Sequence, residues 1–167
     1  MAILDILTFP NPVLRNTNKE VTVFDPSFAT LVDDMFETMY AAPGVGLAAP
    51  QVGVNQQFFI LDVSEDRTEP MVFANPKIIH QEGIEEMEEG CLSFPGVYAN
   101  VKRAQSITCE AQDKEGKTFK VDAEELFAIC IQHELDHLNG VLFIDHLSAL
   151  KRNRLVKKLE KQLKRQS

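Results

Sequence analysis

The chain has 167 residues, 44% of them apolar and 25% charged, with a formal net charge of −8. That length and apolar content predict one domain over residues 1–167 with a respectable core, and no apolar run is long enough for a membrane span or a secretory signal. Three cysteines, an odd number, without an export signal argue against a disulfide framework and for a reducing cytoplasm, or an organelle of bacterial descent.

In chain order, the first strong pattern is an amphipathic helix over Pro26–Ala42, capped by Asp25, with Phe28, Leu31, Val32, Met35 and Met39 as its stripe. A block of small residues comes after it, Gly44-Val45-Gly46-Leu47-Ala48-Ala49-Pro50-Gln51-Val52-Gly53. Its Gly44-x-Gly46-x-x-Ala49 spacing formally fits a dinucleotide fingerprint, but that motif needs a strand before it and a helix after it. Here a helix precedes the block, and Pro50 with Gly53 interrupts any helix after it. No P-loop lysine is present either. A plain glycine-rich loop is one reading; the other is a substrate-binding edge, with Gln51 as a neutral donor toward a developing oxyanion.

Strand patterns come next at Gln57–Val63, Met71–Ala74, Lys77–His80 and Ser106–Gln112, and a turn at Asp113-Lys114-Glu115-Gly116 leads into Lys117–Val121. Between them, Glu88-Glu89-Gly90-Cys91-Leu92-Ser93 is turn-prone and carries a cysteine beside carboxylates. Cys109 alternates within a strand and Cys130 lies in an apolar helical run, so both read as structural.

The next helix predicts chemistry. Asp122 is the expected N-cap with Glu125 as capping-box partner, and Asn139-Gly140 is the stop. Leu126, Ile129, Cys130, His133 and His137 share one face. Residues 133–137 form a His-Glu-x-x-His unit, in which histidines at i and i+4 can share one metal ion and Glu134 sits beside it as a proton carrier. Core histidines bonded to backbone are the alternative, but they leave a costly inward-facing glutamate unexplained. Two histidines leave the ion short of ligands. The metzincin extension fails because position 143 is Phe. Glu160, His146, His80 and Cys91 remain as candidates, with the segment around Cys91 the strongest of them.

The tail, residues 148–167, holds eight Lys/Arg against one Glu, a balance of +7 that leaves −15 for residues 1–147. Leu150, Leu155, Val156, Leu159 and Leu163 give it a helical stripe, expected to pack on the sheet. Its basic face is either solvated or meets ribosomal RNA. Helices and antiparallel strands in separate runs predict an α+β fold: antiparallel strands packed around a central metal-binding helix, with a C-terminal helix.

Three blocks together carry a family resemblance: residues 44–51 as G-φ-G-φ-A-A-x-Q (φ apolar), 89–93 as E-G-C-φ-S and 132–137 as Q-H-E-φ-D-H. With Phe9-Pro10-Asn11-Pro12-Val13-Leu14-Arg15 near the start, the chain resembles the bacterial-type peptide deformylases, which remove the formyl group from the formyl-methionine of new polypeptides. Ala104 departs from the Pro that relatives often carry, and no site is drawn from the stretch Phe94–Arg103. The resemblance implies Cys91, His133 and His137 as ligands of one divalent ion, Fe(II) natively, with zinc, nickel or cobalt also accommodated. A redox-active ion beside Cys91 predicts sensitivity to oxidation. It further implies Glu134 as proton carrier and Gln51 with the Leu92 N–H as oxyanion donors. A methionine pocket is expected from Val45, Met87, Leu126, Ile129, Cys130 and His133, and backbone around Val45, Gly46 and Gly90 is expected to bind the peptide as an added strand. The implied partners are N-formylmethionyl nascent peptides and, through the basic tail, the ribosome; no membrane or DNA partner is expected. A general zinc endopeptidase and a structural metal protein are the other classes weighed. A structural site would want four protein ligands.

Overall fold

Phe58-Phe59-Ile60-Leu61 is apolar at every position, so a strand formed by it must be covered on both faces. The computed structural model, which describes residues 3–166, meets that demand; Met1, Ala2 and Ser167, part of the single-domain expectation, lie outside the described residues. The strands are β1 (Gly46–Ala48), β2 (Phe58–Leu61), β3 (Met71–Glu82), β4 (Glu85–Cys91), β5 (Phe94–Arg103), β6 (Ser106–Gln112) and β7 (Thr118–Glu124). Five of them form an antiparallel sheet in the order β1-β2-β3-β6-β7. β4 and β5 form a separate antiparallel pair. Helices α1 (Pro26–Ala41), α2 (Glu125–Leu138) and α3 (Ala149–Gln166) complete the α+β architecture.

Strand alternation distributes β2 between two cores. Phe58 and Ile60 join Phe28, Val32, Met35 and Met39 of α1. Phe59 and Leu61 face the other way, onto Phe73, Ile107 and Cys109 and onto Ala128, Ile131 and Leu138 of α2. The sheet thus separates α1 from α2, and each large side chain fully buried in these layers contributes roughly 1.5–3 kcal/mol.

The α1 expectation holds: Asp25 accepts from the Phe28 N–H, and Pro26 occupies the first turn. The expected α2 cap does not. Asp122 lies inside β7, where its carboxylate accepts from the Thr108 hydroxyl at 2.7 Å. The helix starts at Glu125, whose φ is 54°, straight out of a strand that runs to Glu124, and no side chain caps it. Cross-strand pairing with β6 took Asp122 out of the turn. The two short strands expected at 71–74 and 77–80 are one, β3, with its register broken after Ala74. The break sits at Asn75, held at φ 50° while its side chain bonds both backbone groups of Val21 and the Gln112 amide oxygen.

A third cluster joins Phe94, Val97 and Val101 of β5 to Leu14, Phe143 and Leu159. Helix α3 docks there through Leu155, Val156, Leu159 and Leu163, so it packs on β5 and not on the five-stranded sheet; Leu150 of the expected stripe is exposed. The turn-prone reading of 88–93 is corrected as well: residues 85–91 are strand, and the turn is Leu92-Ser93.

Candidate active site

Helix α2 carries His133 and His137 one turn apart on its buried side, as the spacing requires. β4 ends at Cys91, and the turn into β5 brings its thiol over that helix. The ligand atoms of Cys91, His133 and His137 all lie within 4.8 Å of one another, and Cys91 Sγ is 3.4 Å from His137 Nε2. Among the described residues this is the group of ligand-type side chains close enough to hold an ion. The other candidates lie elsewhere: His80 pairs with Glu82 on the surface, His146 with Asp136, and Glu160 is exposed on α3.

A buried polar chain orients the first histidine. His133 Nδ1 is 2.9 Å from Glu89 Oε1, which turns Nε2 toward Cys91 and His137. Arg103 holds Glu89 with two bonds of 2.6 and 2.9 Å and donates to Asp136 of α2 at 2.8 Å. Burial alone would raise the Glu89 carboxyl, but the bonds from His133 and Arg103 outweigh it and the net shift is downward. Gln132 adds a second anchor, accepting from the Ala104 N–H at 3.0 Å and donating to the Ala104 carbonyl at 2.9 Å. An Ala here carries the N–H that the first of these bonds needs and that a Pro would lack.

Glu134 lies between α2 and β1. Its carboxyl is pushed up to about 7 by burial, against the pull of His133 and Arg103, and Oε1 has no partner among the described residues. A Cβ added to Gly46 would stand 2.5 Å from Glu134 Oε2, so this glycine makes room for the carboxylate. The Asp62 N–H donates to the Val45 carbonyl at 2.8 Å, and antiparallel alternation then turns the Gly46 backbone groups toward the open edge of β1. Asp62 is itself buried, accepting from Tyr40 and Ser64.

Gln51 is buried in the short 3₁₀ turn after β1. Its carbonyl oxygen accepts from the Ala48 N–H at 2.9 Å, and its amide donates to Ser93 Oγ at 3.0 Å and points at Cys91 Sγ, 3.6 Å away. Ser93, also fully buried, belongs to the E-G-C-φ-S block, where sequence reasoning gives it no role; its hydroxyl orients Gln51. Leu92 sits in the same turn with its side chain against Gly44.

Two cavities meet at His133 and Glu134. A pocket of about 180 Å³ is walled by Val45, Met87, Leu126, Ile129 and Cys130, with Gly90 on its rim. Every residue expected to form the methionine pocket is therefore gathered there. A wider cleft of about 520 Å³ runs outward past Gly46, Gln51, Cys91 and Leu92. Phe94, Pro95, Gly96 and Tyr98 also line it, so the stretch from which no site was drawn forms one of its walls. The signal available was their position directly after the cysteine block.

The family model described as polypeptide deformylase matches residues 3–153. A peptide deformylase of Pseudomonas aeruginosa is 54% identical, with all of both chains covered. The chain belongs to the peptide deformylase family. The crystal structure of a peptide deformylase from Legionella pneumophila superposes with a TM-score of 0.96 at 49% identity, covering 99% of this chain and 98% of that one. One from Ehrlichia chaffeensis in complex with actinonin gives 0.92 at 39% identity, covering 97% and 98%. As a peptide deformylase the chain removes the N-terminal formyl group from nascent peptides. The endopeptidase and structural-metal readings give way to that assignment, and no helix among the described residues is long and apolar enough to cross a membrane.

Proposed function

We propose that deformylation in this chain is carried by one divalent ion on Cys91, His133 and His137, with Glu134 as the proton carrier. The observation that supports this most is the convergence of one sulfur with two imidazoles distant from it in sequence, beside a buried carboxylate whose Oε1 has no partner among the described residues. Donor chemistry fits the group: a thiolate and two neutral imidazoles suit Fe(II), zinc, nickel or cobalt, and Fe(II) is the native ion that the family resemblance implies. Bound there, the ion supplies Lewis acidity to water and to the formyl oxygen.

Glu134 takes the proton of the attacking water and delivers it to the amine nitrogen as the C–N bond breaks, which leaves formate and a free N-terminus. The Gln51 amide proton aimed at Cys91 and the Leu92 N–H are the donors for the oxyanion. Backbone groups of Gly46 and Gly90, with Val45 beside them, bind the peptide as an added strand. Val45, Met87, Leu126, Ile129 and Cys130 receive the unbranched thioether side chain of methionine.

The exposed cations Lys157, Lys158 and Lys161 on α3 meet ribosomal RNA, which keeps the enzyme near emerging chains in a bacterial-type cytoplasm. Parallel assays on formyl-Met-Ala, acetyl-Met-Ala and casein test the reading. Formate release from the first alone is expected. Equal cleavage of the acetyl peptide or of casein would overturn it.

A further inference from the structure

Tyr98, 60% exposed, faces Gly90 across the β4–β5 pair, and a Cβ on Gly90 would stand 2.6 Å from its ring. The same Tyr98 is also a wall of a separate groove of about 280 Å³ between β5 and α3, floored by Ala99, Leu147 and Leu155. Two cations, Lys151 and Arg154, and the Asn100 amide border that groove. Both cations are exposed, and neither has a carboxylate within ion-pair distance among the described residues. Gly96, at φ 75°, lines the cleft beside Tyr98 and lies against the Gln162 side chain of α3.

A formylated chain seated along Gly46 and Gly90 advances about 3.3–3.6 Å per residue, so a few residues beyond the methionine suffice to pass Tyr98. We propose that the groove is the continuation of the cleft and binds an acidic side chain of the same formylated peptide, downstream of its methionine, with Tyr98 as the shared wall and Lys151 and Arg154 as the counter-charges. The inference rests on the placement of the peptide proposed above. Charge distribution makes it specific. Residues 1–147 carry −15, so the body of the molecule repels an acidic peptide everywhere except near local cations such as these.

The test is a ladder of formyl-Met-Ala hexapeptide amides in which a single Asp, or Asn as its neutral match, is walked from the third to the sixth position. At one or two adjacent positions Asp is expected to exceed Asn by about three- to tenfold in kcat/KM, the scale of two partly exposed ion pairs, carried by KM and not by kcat. The gain should vanish at roughly 0.5 M salt, where exposed charges are screened. Lys151→Glu with Arg154→Glu should reverse the preference, so that Lys at that position now exceeds Asn.

Equal rates for Asp and Asn at every position, with formyl-Met-Ala hydrolysed normally, would overturn the groove while leaving the catalytic cleft standing. So would a preference that survives the double substitution. A flat ladder together with loss of ribosome co-sedimentation in the double variant would hand the two cations to RNA and overturn it too. Failure to hydrolyse formyl-Met-Ala itself would instead strike the cleft on which the proposal rests.

Discussion

The five-stranded sheet and the β4–β5 pair do different work. The larger sheet is apolar on both faces in its centre, sandwiched between α1 and α2, and its side chains establish where α2 lies. The smaller pair is rich in buried polar groups: Glu89, Arg103 and, at its turn, Ser93 are all nearly inaccessible, and Cys91 ends its first strand. Apolar burial sets the position of an element to within its packing freedom. Directed bonds from a second element then orient the side chains that react. The two histidines lie on the helix that the first region positions, and the orientation of His133 comes from the second.

That division can be broken or sharpened by substitution, starting with the group that lies between the two regions. Glu134→Ala should lower kcat by about 10²–10⁴ while metal content, measured by elemental analysis, stays at wild-type stoichiometry. Loss of metal together with loss of activity would make Glu134 a ligand and not the proton carrier. Gln51→Leu should reduce the chemical step by about 10²–10³ in single-turnover kinetics. It also leaves the Ala48 N–H without its acceptor, so unfolding of this variant is measured beside its kinetics.

The sharpest contrast pairs one change in each region. Glu89→Ala leaves the buried Arg103 cation with Asp136 as its one carboxylate partner and frees His133, so it should weaken metal retention against a chelator by about 10- to 100-fold. Phe59→Ala should cost about 3–5 kcal/mol in denaturant unfolding. It should leave metal retention of the folded fraction unchanged. Similar chelator sensitivity in the two variants would dissolve the distinction. The smallest effect concerns α3: Lys157→Glu, Lys158→Glu and Lys161→Glu together should weaken ribosome co-sedimentation at low salt with formyl-Met-Ala kinetics unaltered. Truncating α3 is a poorer probe, because Leu159 is buried against β5.

Much of this was legible in the chain itself. The α1 stripe and its Asp25 cap, the β6 boundaries at Ser106 and Gln112, and the Asn139-Gly140 stop arise from local periodicity and local capping. Asp122 misled because a good capping residue is also an acceptable partner for Thr108 across a sheet, and pairing prevailed. The β4–β5 pair was hidden because its glutamate-rich first strand lacks apolar alternation, and its second contains Pro95 and Gly96.

The spacing of His133, Glu134 and His137 needs nothing beyond 3.6 residues per turn, so the sequence alone determined that two potential metal ligands and a carboxylate come together on this helix. That Cys91, already named by the family resemblance, lies beside the two histidines, how Arg103 and Glu89 orient His133, and that Tyr98 bounds two cavities are visible only in the tertiary structure. Periodicity is a property of neighbouring residues, whereas the meeting of Cys91 with α2 depends on every strand and turn that separates them.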